Sequence, residues 1–239
     1  MYLFDLETCI MKAGHTRKQV IILSIGVVNL LDKTAFHCFV KTEKGREHEI
    51  KSAPTQSIKK KINYSDKKAV PVDVAITKMF QFCGKNPLLM AHNGKSFDFP
   101  ILLGNMERAN VLFSFEGLDT YHYVVKKVFS LPSYKLSNVY YSICDNHSKY
   151  KFHTAVDDCL CLREVVIQSA KTFVLNNLRS CYIALYKKIN DEYGAALRYD
   201  MQLCQQSKQH ITQIINTLET NKTLLKLIMN HCILVWSGK

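Results

Sequence analysis

The chain has 239 residues, 47% of them hydrophobic, which suffices for one large domain or one domain with an appendage. A formal net charge of +12 favours a polyanionic partner, because Lys and Arg near phosphates release condensed counterions; anionic lipid or plain solubility is the weaker reading of the same charge. Nine cysteines, an odd number with no C-x-x-C pair, argue against a disulfide scaffold and against a C-x-x-C zinc module.

Tyr2-Leu3-Phe4-Asp5-Leu6-Glu7 is an apolar, aromatic run with two carboxylates set into it, and it reads as a core strand. No secretory leader is expected here, since Asp5 interrupts the apolar run, and the expected compartment is intracellular, cytoplasmic or nuclear. Strand side chains alternate between faces, so Asp5 and Glu7 project from one face with Cα atoms about 7 Å apart. Burying two like charges is costly unless a divalent cation with hard oxygen ligation offsets it. The pair is therefore the candidate first half of a metal site, set against the plainer reading of acids placed at a strand edge for solubility.

Thr8 to Lys18 is a polar connection, Gln19 to Leu30 a long apolar strand, and Thr34 to Lys41 a third strand reached through the Asp32-Lys33 turn. These three form an antiparallel meander. From Thr42 to Lys68 apolar residues are few and lysines many. This loop, with Lys59, Lys60, Lys61, Lys67 and Lys68, reads equally as a substrate-facing segment, a solvated tail of the meander or a nuclear-import patch.

Val72 to Cys83 has helical spacing between Pro71 and Gly84. Pro87 to Ala91 is a short buried strand, and Ser96 to Asn110 a second helix. Strands alternating with helices argue for an α/β sheet whose ligands sit at the carboxyl ends of the strands. Pro100 belongs to a first helical turn, which puts Asp98 at the N-cap or the first helical positions. An acid there suits the helix dipole and can also reach a site at the strand ends.

Val111 to Asp119 is expected as a further strand, with short helices at Tyr121 to Phe129 and Lys135 to Cys144. A polar stretch then leads to His153-Thr154-Ala155-Val156-Asp157-Asp158 and a helix to about Phe173. Thr154 is a natural N-cap, and Asp157, three residues on, can reach back to the capping amide. That assigns Asp157 to structure and leaves His153 and Asp158 to face a site.

Taken together, Asp5-Leu6-Glu7-Thr8, then His92-Asn93 with Phe97-Asp98, then His153-Thr154-Ala155 with Asp158 resemble, in order and spacing, the three motifs of the DEDDh 3′-to-5′ exonucleases of the proofreading and TREX-like kind. The resemblance covers roughly residues 1 to 172. It implies an RNase H-like mixed five-stranded sheet flanked by helices. It implies that Asp5, Glu7, Asp98 and Asp158 hold two Mg2+ ions, with Mn2+ able to substitute, and that His153 is the general base. The substrate implied is single-stranded or 3′-frayed nucleic acid, DNA favoured over RNA. Exposed groups of Leu6, Thr8, His92 and Asn93, together with Lys59, Lys60 and Lys61, are the candidate substrate contacts. The sequence departs from the family pattern after Thr8, where Cys9-Ile10 replaces the usual Thr-Gly. The alternative is a catalytically silent nucleic-acid-binding or scaffold protein on the same fold.

Residues 174–239 lie outside the resemblance. They carry helical apolar stripes at Leu178 to Tyr193 and at Ile211 to Leu218, and the expected organisation is an exonuclease domain, 1–173, followed by a helical extension, 174–239. The extension either packs on the nuclease or offers a surface for a protein partner or self-association. Its most apolar piece, Leu224 to Trp236, is interrupted by Lys226, Asn230 and His231 and is too short to span a bilayer, so a packed or interfacial helix is expected.

Overall fold

Alternation along β1 (Tyr2–Thr8) divides the protein into two layers. In the computed structural model, which describes residues 1–9, 14–42, 45–46, 69–144, 150, 152–177 and 221–238, Phe4 and Leu6 enter one apolar core and Leu3 enters another on the opposite face. Asp5 and Glu7 share the face of Leu3, because side chains two apart point the same way. β1 pairs antiparallel with β2 (Ile22–Asn29), which pairs antiparallel with β3 (Ala35–Phe39). On its other side β1 runs parallel to β4 (Leu88–Ala91), which runs parallel to β5 (Glu116–Asp119). The result is a mixed five-stranded sheet in the order β3-β2-β1-β4-β5. β2, with neighbours on both edges and cores on both faces, is buried at nearly every position, which is why its sequence is a continuous apolar run.

The Phe4 face is covered by α1 (Val72–Cys83) and α2 (Asp98–Arg108). In α1, Ala75, Ile76, Met79, Phe80 and Cys83 recur at helical spacing and face that core, and Gly84, with φ 79°, ends the helix. The Leu3 face is covered by α4 (Ala155–Asn176), which is preceded in the chain by α3 (Leu136–Ile143). Cys159, Leu162, Val166 and Ala170 of α4 pack on Leu3, Val28 and Met90, while Cys161 and Val165 meet Val139 and Tyr140 of α3.

The Leu3 core is completed by α5 (Lys222–Ser237), whose Leu225, Ile228, Met229, Cys232 and Trp236 are buried in it. Asn221 caps α5 by accepting the Leu224 amide at 3.0 Å. Leu224 to Trp236 is thus a packed helix. The stripes at 178–193 and 211–218 lie outside the described residues. Trp236, the only tryptophan of the chain, is fully buried and meets Phe173 edge to face at 6.0 Å. Trp236→Ala is expected to cost about 3–5 kcal/mol of stability, as large aromatic deletions from cores do, and denaturant unfolding followed by circular dichroism measures it.

Two sequence expectations are corrected. The strand expected over Val111 to Asp119 is confined to Glu116–Asp119. Phe113 and Phe115 turn their rings onto Phe80 at 4.5 and 6.2 Å instead of joining a ladder, and Leu112 stands in solvent. The helix expected from Tyr121 begins as a π-helical turn, Tyr121–Val125, before one α-helical turn at Lys126–Val128. The seven described cysteines are free thiols. Among the described residues no helix is long and apolar enough to cross a membrane.

Candidate active site

Asp5 and Glu7 meet Asp158 where the start of α4 crosses β1: one ligand oxygen from each lies within 4.8 Å of the others. The crossing depends on Gly26, which pairs with Asp5 across the β1–β2 ladder. A Cβ on Gly26 would lie 2.3 Å from the backbone carbon of Ala155 and 2.4 Å from its oxygen, so only a glycine lets the helix end approach the strand this closely. One turn on, the Cys159 thiol donates to the Gly26 carbonyl at 3.3 Å.

The two adjacent aspartates divide as their local chemistry suggests. Thr154 Oγ1 accepts the Asp157 amide at 3.3 Å and donates to Asp157 Oδ2 at 2.8 Å. The Asp157 carboxylate therefore closes on the capping hydroxyl, whereas the sequence suggested the capping amide. Asp158 turns the other way, into the Asp5–Glu7 cluster, and its Oδ2 accepts the His153 amide at 3.1 Å. His153 is exposed beside it with φ 71°, a left-handed conformation that a non-glycine residue adopts at some cost and that functional sites commonly hold.

Asp98, the first residue of α2, is 3% exposed and does not serve as a cap. Its Oδ1 accepts the Leu6 amide at 3.2 Å, which ties α2 to the strand between Asp5 and Glu7. Burial raises the Asp98 carboxyl to about 7, and the charges of Asp119 and Glu7 push in the same direction. Burial also holds Asp5 well above the ordinary carboxylate range, with Asp98, Asp158 and Glu7 adding repulsion. Asp5, Glu7 and Asp158 gathered at a strand end, with Asp98 outside that cluster but hydrogen-bonded to the backbone between the first two, offer hard oxygen donors of the kind that suit Mg2+ or Mn2+.

This has a measurable consequence for the metal-free protein. Asp98 holds its proton to about 7 when folded but releases it near 3.8 when unfolded. Between those values the native state binds more protons than the unfolded state, so stability should fall as pH rises from about 4 to about 7. Thermal melts in EDTA should show this decline, Asp98→Asn should reduce it while Asp5 sustains the remainder, and Mg2+ should restore the melting temperature at pH 7. An undiminished slope in Asp98→Asn would assign the effect to other groups.

The remaining sequence candidates are placed differently. The Leu6 side chain lies in the core and its amide is taken by Asp98, so neither is offered to a substrate. Thr8 is 9% exposed, at the irregularity that ends the β1–β2 register. The His92 ring is held at both nitrogens: Nε2 donates to the Tyr134 carbonyl at 2.7 Å, and Nδ1 faces the Thr120 hydroxyl at 3.3 Å. Burial lowers its pKa, which favours the neutral ring, and a carbonyl can only accept, so the proton sits on Nε2. Asn93 is exposed with φ 63°. Lys59, Lys60, Lys61, Lys67 and Lys68 lie outside the described residues.

The sequence reading missed Gly26 and Asp119. Asp119, 2% exposed at the end of β5, accepts the Lys95 amide at 3.0 Å and the Tyr121 and His122 amides at 2.9 and 3.2 Å. It thereby fixes both the turn that leads into Asp98 and the π-helical turn beside it. A glycine inside a run of β-branched residues is a readable sign of close backbone approach. Nothing local distinguishes Asp119.

A mixed five-stranded sheet with helices on both faces and acids at the strand ends is the RNase H-like architecture of exonucleases. The exonuclease family model (RNase_T) matches residues 3–166, well over half of the chain, and the chain belongs to this family, the DEDDh type of 3′-to-5′ exonuclease. Among solved structures it is similar to exonuclease I, with 12% identity over 72% of this chain and 40% of that one and a TM-score of 0.53. It is likewise similar to the zinc-bound E. coli exonuclease I complex with single-stranded DNA (10% identity, 77% and 43% coverage, TM-score 0.53) and to E. coli exonuclease I bound to a dA16 oligonucleotide (11%, 77% and 43%, 0.54). At these identities the likeness is one of fold. The chain spans about two-fifths of the length of the exonuclease I chains it matches. No curated protein sequence matches it.

Proposed function

We propose that the protein is a metal-dependent 3′-to-5′ exonuclease that releases nucleoside monophosphates from nucleic-acid 3′ ends, DNA favoured. The reading rests on one observation: the convergence of Asp5, Glu7 and Asp158 within 4.8 Å. Asp98 supports it, one hydrogen bond from the backbone between the first two. Asp5, Glu7, Asp98 and Asp158 would hold two divalent ions, Mg2+ or Mn2+. When bound, such ions neutralise a scissile phosphate, lower the pKa of water and stabilise a leaving oxygen.

The chain's own groups account for the rest. His153 stands in solvent beside Asp158 and accepts the proton of the attacking water as the new P–O bond forms. The P–O bond to the 3′ oxygen breaks, the nucleotide leaves with its 5′ phosphate, and the shortened strand keeps a 3′ hydroxyl. Asp158 fixes His153 through its backbone amide, so one carboxylate serves both the ion and the position of the base. His153→Ala is expected to lower kcat by about 10²–10⁴ with little change in KM, and to remove the acid limb of the pH–rate profile.

DNA is favoured because the structural relatives that hold an oligonucleotide hold single-stranded DNA. RNA is the competing substrate, and a catalytically silent binding protein the competing class. Digestion of 5′-labelled single-stranded DNA and RNA oligonucleotides with Mg2+ tests all three. A descending ladder on DNA is expected, a ladder on RNA alone reverses the sugar preference, and no ladder on either overturns the enzyme reading.

A further inference from the structure

A cavity of about 550 Å³ is lined by Asn93 and Ser96 of the turn that leads into Asp98. Its walls include His92, Asn93, Ser96, Tyr121, Tyr134 and Lys135. The rings form a fixed aromatic corner, with Tyr121 edge-on to Tyr134 at 5.8 Å and to His92 at 5.6 Å. Tyr134 is pinned through its hydroxyl, which donates to the Phe129 carbonyl at 3.0 Å and accepts the Leu131 amide at 3.2 Å. His92 is pinned at Nε2 and faces a hydroxyl at Nδ1, so it is a wall and not a proton carrier. Lys126 Nζ lies 4.4 Å from the Tyr121 ring centre and 5.3 Å from that of Tyr134, and Lys135 is exposed at the rim. The turn itself is rigid, since the Asn93 carbonyl accepts the Ser96 and Phe97 amides at 3.1 Å each.

Aromatic rings, an exposed amide and the Lys135 ammonium in the cavity wall, with the Lys126 ammonium over one face of Tyr121, are the chemistry that holds a nucleotide: the base stacks, the amide meets its edge and the ammonium groups attract phosphate. We propose that this cavity is a base-stacking subsite, built chiefly by Tyr121 and Asn93, for a nucleotide near the 3′ end of the same single strand whose terminal phosphodiester is hydrolysed at Asp5, Glu7, Asp98 and Asp158. The inference rests on the proposed nuclease reading and gives that reading a strand-anchoring device. Asp119, through Lys95 on one side and Tyr121 and His122 on the other, keeps the subsite in register with Asp98.

The test is binding of the full chain, with Ca2+ as the ion, to a 5′-labelled deoxyadenosine oligonucleotide and to a series with one abasic residue stepped inward from the 3′ end. Fluorescence anisotropy should show one position near that end where base loss weakens binding about tenfold, the scale of a single base–aromatic stack. Tyr121→Ala should abolish that position-specific loss, while Tyr121→Phe should keep it. Asn93→Gly, which retains the positive φ without touching the core, should reduce it. A flat abasic profile in the wild-type protein, or an unchanged profile in Tyr121→Ala and Asn93→Gly, would overturn the proposal. So would Tyr121-dependent capture of free dAMP with no dependence on strand position, which would mark a mononucleotide site. A position-specific profile in a protein that cleaves neither DNA nor RNA would overturn the nuclease reading and leave the subsite standing.

Discussion

Asp158→Asn should lower turnover about a thousandfold or more and leave the fold intact, whereas Asp157→Asn should leave turnover nearly unchanged and cost about 1 kcal/mol of stability. Asp158 supplies one of three oxygens that lie within 4.8 Å of one another, and its Oδ2 also holds the His153 amide. Removing its charge withdraws several kcal/mol of transition-state charge stabilisation, at about tenfold in rate per 1.4 kcal/mol. Asp157 only exchanges hydrogen bonds with Thr154 at the cap of α4, and caps of this kind contribute about 1 kcal/mol. Single-turnover kinetics together with thermal melts of the two variants separate the effects. The opposite pattern, an inactive Asp157→Asn and an active Asp158→Asn, would reverse the assignment.

Gly26→Ala should damage both fold and activity out of proportion to the one methyl group it adds. That methyl would lie 2.3 and 2.4 Å from backbone atoms of Ala155, and a backbone cannot rotate away as a side chain can. Either α4 shifts off β2 or the strand bends; overpacking of this kind costs about 1–3 kcal/mol, and more where backbone must move. The shift would also draw Asp158 away from Asp5, so activity should fall further than stability. Ala155→Gly in the same chain should restore little, because it removes only the Cβ contact and leaves the two backbone contacts. Full recovery in the double variant would show that the side chain alone is responsible.

What the sequence made legible was local. Asp5 and Glu7 share a face because strands alternate, and Asp157 separates from Asp158 because a threonine three residues earlier needs a capping partner. Both features are set by neighbours along the chain. Alternation of strand and helix also led to the α/β sheet that the strand order β3-β2-β1-β4-β5 realises. Features set by residues far apart in the chain were not legible. Asp98 could be read as a helix-start acid able to reach a site at the strand ends, but its hydrogen bond to the Leu6 amide, 92 residues away, could not. Asp119 reads as an ordinary strand-end acid until the turn at Lys95 and the π-helical turn fold against it. Val111 to Phe115 had strand composition, but Phe113 and Phe115 found better partners in the aromatic cluster around Phe80. The apolar piece that forms α5 was expected either to pack on the nuclease or to face a partner, and its place in the core with Leu3 and α4 depends on residues more than 200 positions apart.

The central claim is that Asp5, Glu7, Asp98 and Asp158 form one divalent-cation centre. Anomalous diffraction from crystals soaked in Mn2+ tests it most directly. Manganese peaks bounded by these four carboxylates are the expected result, and peaks confined to other acids, or a site that stays empty at saturating Mn2+, would contradict it.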